Sequence, residues 1–354
     1  MLFRSRADLV GFDPHPGEPY YIWNIPTWEV PGSDTIVIGF TQEPASFYTM
    51  VEDAFVAGLV SSLVGYVGSD TDNAVLYTTL DYDHQPVALT QLSTVENGSA
   101  TNADVEVKAG DMVYDVTGLA VELAPGVKVK DATGAEVEFT GDPLTMKQMS
   151  VTFEFRDDLK WPDGTPVSQA DYELFYKIRC DKESGATTFT ICDQTQNMEF
   201  TDTGYTMTYI PGVQDPLYFR PGYGMFPAHR VLADGRTLAD VPAKEWLTLP
   251  EITENPWGIG PYMIKEWVKG EKIVFEPHPY WYGGTPKTPN VVISIITPEN
   301  AEAQLLGGQI DLLGSESLVG ISETLDAAEK EGKVKNIISA SATWEHIDLS
   351  LFTK

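Results

Sequence analysis

Fifty-two carboxylates and five histidines are the groups best able to move protons in this chain of 354 residues. Asp157-Asp158, Asp70/Asp72 and Glu43 invite a hydrolase reading, because paired carboxylates serve glycoside cleavage as acid and base or nucleophile. With acidic residues this abundant, such pairs arise by composition alone, and they read as solvated surface. His15, His84, His229, His278 and His346 stand singly. Neither Gly-x-Ser-x-Gly nor His-Glu-x-x-His occurs, so no nucleophile is matched to an evident base. Gly258-Ile259-Gly260 lacks the third glycine and the Lys-Ser/Thr of a phosphate loop, and its glycines read as points of close backbone approach. Trp161 to Val167 joins an indole, a carboxylate and a glycine, yet Asp163-Gly164 makes a tight turn and Pro162 and Pro166 fix φ, so a structural turn is expected. Cys180 and Cys192 flank a loop of eleven residues. They are either a disulfide or two buried thiols, and the pairable spacing favours the disulfide. The scattered histidines leave a zinc site unsupported. No cofactor, metal or catalytic residue is expected.

The excess of acidic over basic residues, 52 against 23, gives a formal charge of −29. Such a chain would repel a phosphate backbone, which excludes nucleic acid as a partner. Composition is otherwise that of a globular protein, 42% hydrophobic and 21% charged, and the length suggests about two domains. The most apolar window, Ala54 to Val67, falls short of the ~20 residues that span a bilayer. The opening Met1-Leu2-Phe3-Arg4-Ser5-Arg6 is followed by no apolar stretch or cleavage site and does not read as a secretory signal. The chain stops in the strand-like Ile347 to Phe352, which raises the expectation of a fragment.

Residues 1–33, with five prolines, read as an extended arm. Thr35 to Phe40 is a buried strand, and Phe55, Leu59, Leu63 and Tyr66 trace one face of a helix over Glu52 to Val67. From Ala74 to Phe155 the texture is β, with a hairpin expected around Asp131-Ala132-Thr133-Gly134. After the alternating Val151 to Phe155 and the Trp161 turn, Ser168 and Asp171 form the N-cap and N3 of a helix, with the Ser168 oxygen expected to accept from a backbone N–H. Tyr262 to Trp267 and Lys272 to Phe275 form a second hairpin, Val291 to Ile296 a buried strand, and Glu299 to Leu306 a helix stopped by Gly307-Gly308. A weaker helix is expected over Ser322 to Lys330. No repeat of 20 to 50 residues is evident. The mixture implies an α/β architecture with more than one sheet.

Three ordered blocks resemble one family. Val151 to Asp171, with its Trp-Pro-Asp-Gly-Thr-Pro-Val turn and capped helix, is the first. Asn255-Pro256-Trp257-Gly258-Ile259-Gly260-Pro261-Tyr262, followed by Lys265-Glu266-Trp267 and Pro279-Tyr280-Trp281-Tyr282-Gly283-Gly284, is the second. Leu305-Leu306-Gly307-Gly308-Gln309-Ile310-Asp311 is the third. Together they are similar to the extracellular solute-binding proteins of ABC importers that take peptides, oligopeptides or nickel. The Gln42-Glu43-Pro44-Ala45-Ser46-Phe47 loop fits as well, while Trp257 and a β insertion over Asp104 to Asp142 depart from the pattern.

The resemblance implies a mixed α/β bilobal fold of the periplasmic-binding-protein type: lobe I over 34–64 and 212–293, a β-rich subdomain over 65–211, and an incomplete lobe II over 294–354. It implies a periplasmic or extracellular receptor, without enzymatic activity, that captures a peptide or similar small solute in an interlobe cleft. The expected partners are that solute and the permease subunits, with contact to the membrane only through the permease or an anchor outside this sequence. Asp53, Phe55, Phe189, Tyr223, Gly224 and Met225 are the expected ligand contacts, aromatic and Met side chains burying an extended peptide while backbone groups hydrogen-bond it. The extracytoplasmic location supports the Cys180–Cys192 disulfide. The alternatives are a secreted carbohydrate-active enzyme or carbohydrate-binding protein, suggested by the 11% aromatic content, and a cell-surface interaction module, suggested by the β insertion.

Overall fold

The computed structural model describes residues 2–6, 30, 32–41, 63–64, 76–78, 84–186, 188–315 and 322–338. Among these, a seven-stranded mixed sheet and a four-stranded antiparallel sheet organise the molecule. The large sheet is built from β1 (Leu2–Arg6), β2 (Thr35–Phe40), β13 (Tyr262–Val268), β14 (Lys272–Pro277), β15 (Asn290–Ile295), β16 (Leu312–Ser315) and β17 (Val334–Ile338), in the order β13-β14-β15-β2-β16-β1-β17. β15 and β16 flank β2 in parallel, and the remaining pairs are antiparallel.

β2 shows why the sequence folds this way. Ile36, Ile38 and Phe40 alternate onto one face and are almost fully buried in the main core, while Val37 packs against a second cluster on the other face. That second core is closed by α4 (Pro298–Leu306) and α5 (Glu323–Lys330) through Ala301, Leu305, Leu325 and Ala328. Asp311 secures the strand ahead of β16, its N–H donating to Val37 O (2.7 Å) and its Oδ2 accepting from Val37 N–H (2.8 Å). The division expected at residue 294 falls inside β15, and β16 and β17 continue the sheet that contains β2. Leu2–Arg6, expected within an extended arm, is a strand between β16 and β17.

The second sheet, β11-β12-β10-β5, consists of β11 (Thr195–Thr201), β12 (Gly204–Tyr209), β10 (Leu144–Glu154) and β5 (Ala100–Val107). Three two-stranded ribbons accompany it: β3 (Leu76–Thr78) with β4 (His84–Pro86), β6 (Met112–Tyr114) with β7 (Ala120–Glu122), and β8 (Lys128–Lys130) with β9 (Glu136–Glu138). The latter two enclose a small separate core of Val107, Val113, Leu123, Val129, Phe139 and Met146. The helices α1 (Gln169–Arg179) and α2 (Thr190–Gln194) lie between β10 and β11 in sequence, and α3 (Pro250–Thr253) between β12 and β13. Of the helix expected over Glu52 to Val67 only Leu63 and Val64 are described; both are helical and buried. The strand expected over Ile347 to Phe352 lies outside the described residues.

Candidate functional site

The turn between β10 and α1 sets the geometry around which the rest is built. Trp161 N–H donates to Thr165 O (2.9 Å) and Gly164 N–H to Trp161 O (2.8 Å), with Asp163 Oδ1 accepting from Thr165 N–H (2.9 Å). Gly164 has φ +87, and a Cβ there would sit 2.8 Å from the Tyr280 ring, so the backbone conformation and the packed ring both call for glycine. Ser168 and Asp171 form a capping box whose hydrogen bonds run through the carboxylate. Asp171 Oδ2 accepts from Ser168 N–H (2.8 Å), from Trp161 Nε1–H (3.1 Å) and from the Ser168 hydroxyl (3.3 Å). Oδ1 accepts from Ala228 N–H (2.8 Å), and the Asp171 carbonyl accepts from Phe226 N–H (3.1 Å). The capping box expected at Ser168 and Asp171 forms, joining the Ser168 side chain to the N3 backbone and the Asp171 carboxylate to the Ser168 N–H. A buried carboxylate with four donors thus ties the turn, the helix and the 226–228 segment together.

The second sequence block closes on the first. His278 N–H donates to Pro261 O and its Nδ1 accepts from Tyr280 N–H (3.0 Å). Burial holds the imidazole below its usual pKa, favouring the neutral ring. The Arg156 guanidinium stacks over Tyr282 at 4.7 Å, and burial pushes the Tyr282 phenol up to about 12. His229 Nε2 lies 3.0 Å from Asp163 Oδ2. Burial alone would raise the Asp163 pKa, but hydrogen bonds from Thr165 and His229 outweigh it and hold the carboxyl low. Arg230, 7% exposed, donates to Glu251 O (3.0 Å) and Asn255 O (2.9 Å) and stacks on Trp257 at 4.6 Å. Burial lowers this guanidinium to about 10. Trp257, a departure from the family pattern, therefore has a partner that the sequence did not announce.

The candidate ligand residues cluster around the cysteine loop. Cys180 and Cys192 are joined, their Cα atoms 5.6 Å apart, which ties the end of α1 to α2. Phe189 is half-buried at the start of α2, with Lys182 Nζ over its ring at 3.8 Å. Tyr223 shares a 2.9 Å hydrogen bond with Thr195 and lies 3.7 Å from Cys180 Sγ. Its backbone is clamped by Tyr205, whose hydroxyl donates to Tyr223 O (2.6 Å) and accepts from Tyr223 N–H (3.1 Å). Tyr223 and Met225 are each 2% exposed and belong to the main core, and Gly224 is buried between them. Tyr223 and Met225, expected to touch a ligand, are buried in this conformation, whereas Phe189 keeps part of its surface exposed. Asp53 and Phe55 lie outside the described residues.

Among the described residues no group of three or more His, Cys, Asp or Glu side chains is placed to hold a metal ion, and no helix is long and apolar enough to cross a membrane. What the residues build is a packed cluster of Tyr176, Tyr205 and Tyr223 with a disulfide at its edge.

Residues 147–350, more than half the chain, match the bacterial extracellular solute-binding proteins, family 5 Middle. The chain belongs to this family, whose members bind solutes and are not enzymes. Among individual proteins, it is 26% identical over 187 residues to the oligopeptide-binding protein OppA of Lactococcus lactis subsp. lactis, a match covering 48% of this chain and 31% of that protein. The chain therefore spans about a third of the length of that curated relative. Two solved structures share the fold: the oligopeptide-binding protein AppA from Bacillus subtilis in complex with a nonapeptide (TM-score 0.54, 14% identity, 84% of this chain and 45% of that one) and the periplasmic EDTA-binding protein EppA (TM-score 0.52, 15% identity, 91% and 47%).

Proposed function

We propose that this chain is part of an extracytoplasmic receptor that captures a peptide between two lobes and delivers it to the permease of an ABC importer. The family match over 147–350 carries the reading, and the oligopeptide-binding relative supports the peptide class. In this reading the described residues contribute lobe I and its β-rich subdomain, and the later part of the chain opens lobe II. Phe189 and the backbone at Gly224, together with Asp53 and Phe55, face the ligand. A receptor wall of this kind needs stiffness more than reactive groups, since binding is strongest where the site is already ordered. The bridge also suits an oxidising compartment, periplasmic or extracellular.

Calorimetric titration of the full-length gene product with a peptide library, followed by mass spectrometry of the recovered peptides, is the test. Micromolar binding with every peptide recovered intact is expected. Binding of oligosaccharides in place of peptides, or cleavage of either, would overturn the reading in favour of a carbohydrate-active protein.

A further inference from the structure

Residues 107–139 repeat with a period of sixteen. Gly110, Val113, Asp115, Thr117, Gly118, Val121 and Glu122 recur as Gly126, Val129, Asp131, Thr133, Gly134, Val137 and Glu138. The conformation recurs with them. Val113 faces Val121 across β6/β7, and Val129 faces Val137 across β8/β9. Asp115 Oδ1 accepts from the N–H groups of Thr117 (2.9 Å) and Leu119 (3.0 Å), as Asp131 Oδ1 does from those of Thr133 (2.8 Å) and Ala135 (3.1 Å). Gly110 N–H donates to Leu123 O and Gly126 N–H to Phe139 O, both at 2.9 Å. The φ angles are +94 and +95 at the first glycine pair and +84 at both members of the second. Even the stacking contact is reused: Val116 N–H donates to Lys128 O (3.0 Å), and its equivalent, Ala132 N–H, donates to Thr145 O (2.8 Å) on β10. Each copy rests on the next layer through the same atom, as in a solenoid.

The copies differ at one consequential position. Where the second has Lys130, exposed, the first has Tyr114, half-buried. Tyr114 N–H donates to Pro211 O (2.8 Å), and its hydroxyl accepts from Gln194 Nε2–H (3.1 Å). Gly212 makes room for it, since a Cβ there would meet Tyr114 O at 2.8 Å. Gln194 is the last residue of α2, the helix that follows Phe189 and holds Cys192.

We infer that residues 107–139 are a tandemly duplicated β-arc module, one copy of which is specialised through Tyr114 as a positioning residue for the disulfide-linked helix α2 and hence for Phe189. The part concerning Phe189 rests on the ligand-wall reading above; the duplication and the brace do not. The module precedes the residues that match the family.

Tyr114→Phe and Tyr114→Lys test it, with Lys130→Tyr as the control at the equivalent position. Amide exchange at Asp193, whose N–H donates to Phe189 O, and the rate at which a phosphine reductant opens the Cys180–Cys192 bridge report on the brace. Tyr114→Phe should speed both about fivefold, the equivalent of one net hydrogen bond, and Tyr114→Lys should speed them further. Lys130→Tyr should leave both unchanged. If Tyr114→Lys unfolds the module, shown by lost protection at Val129, then Tyr114→Phe alone decides. Unchanged exchange and reduction in Tyr114→Phe would overturn the brace. Faster exchange with an unchanged peptide Kd would keep the brace and overturn its link to Phe189. Failure of the parent protein to bind any peptide would strike the ligand reading while the exchange result still stands.

Discussion

Asp171 and Val129 are both buried, but the knot around the one and the module around the other are built on opposite principles. Asp171 gathers donors from residues 161, 168 and 228, so its contacts cross long stretches of chain and concentrate on one carboxylate. The module makes most of its backbone contacts over short stretches of chain, and most of them recur in both copies, the Tyr114 contacts with Pro211 and Gln194 being the exception. Concentrated long-range contacts fix the mutual placement of distant segments, which a binding wall needs. Repeated local contacts give a unit that stands by itself and can open by itself.

The sharpest way to break the contrast is Asp171→Asn. The amide nitrogen would replace one acceptor oxygen and face donors that it cannot satisfy, at a cost of about 3–5 kcal/mol to the whole fold in urea unfolding. A loss confined to α1 would mean that the knot does not couple the segments. Val129→Ala should come next, costing about 2 kcal/mol through the cavity it leaves. Here faster amide exchange is expected only within residues 107–146, and its spread to the Asp171 region would erase the distinction between the two regions. Ser168→Ala should have the smallest effect, about 0.5–1 kcal/mol by thermal unfolding. The Ser168 N–H bond to Asp171 survives the substitution, so an effect as large as that of Asp171→Asn would move the centre of the knot to the hydroxyl.

Local order was legible in the sequence where one residue type dictates one conformation. The Trp161 turn, the start of α1, the β13/β14 hairpin and the termination of α4 at Gly307 all follow from turn glycines, prolines, caps and alternation. The long-range consequences were not legible. Asp171 reads as a short cap in the sequence, and nothing in its neighbours announces Trp161 Nε1 or Ala228 N–H as donors. Tyr223 and Met225 have the composition of a ligand-lining loop, and nothing in the sequence announces that the Tyr205 hydroxyl holds the Tyr223 backbone across eighteen residues. The seven-stranded sheet, with β1 between β16 and β17, depends on pairings hundreds of residues apart that periodicity does not encode. The sixteen-residue period lay below the 20 to 50 residues at which solenoid repeats are usually sought, and its seven identities are separated by positions that have diverged freely.

That divergence has an evolutionary corollary. Two neighbouring segments that share spacing, turns and inward-facing valines invite unequal recombination, and an exchange between them adds or removes a whole unit without shifting which side chains point inward. Related proteins should therefore differ here by complete multiples of one unit, with the copy that carries Tyr114 retained, so that the module is a place where the protein can change length without losing its brace on α2.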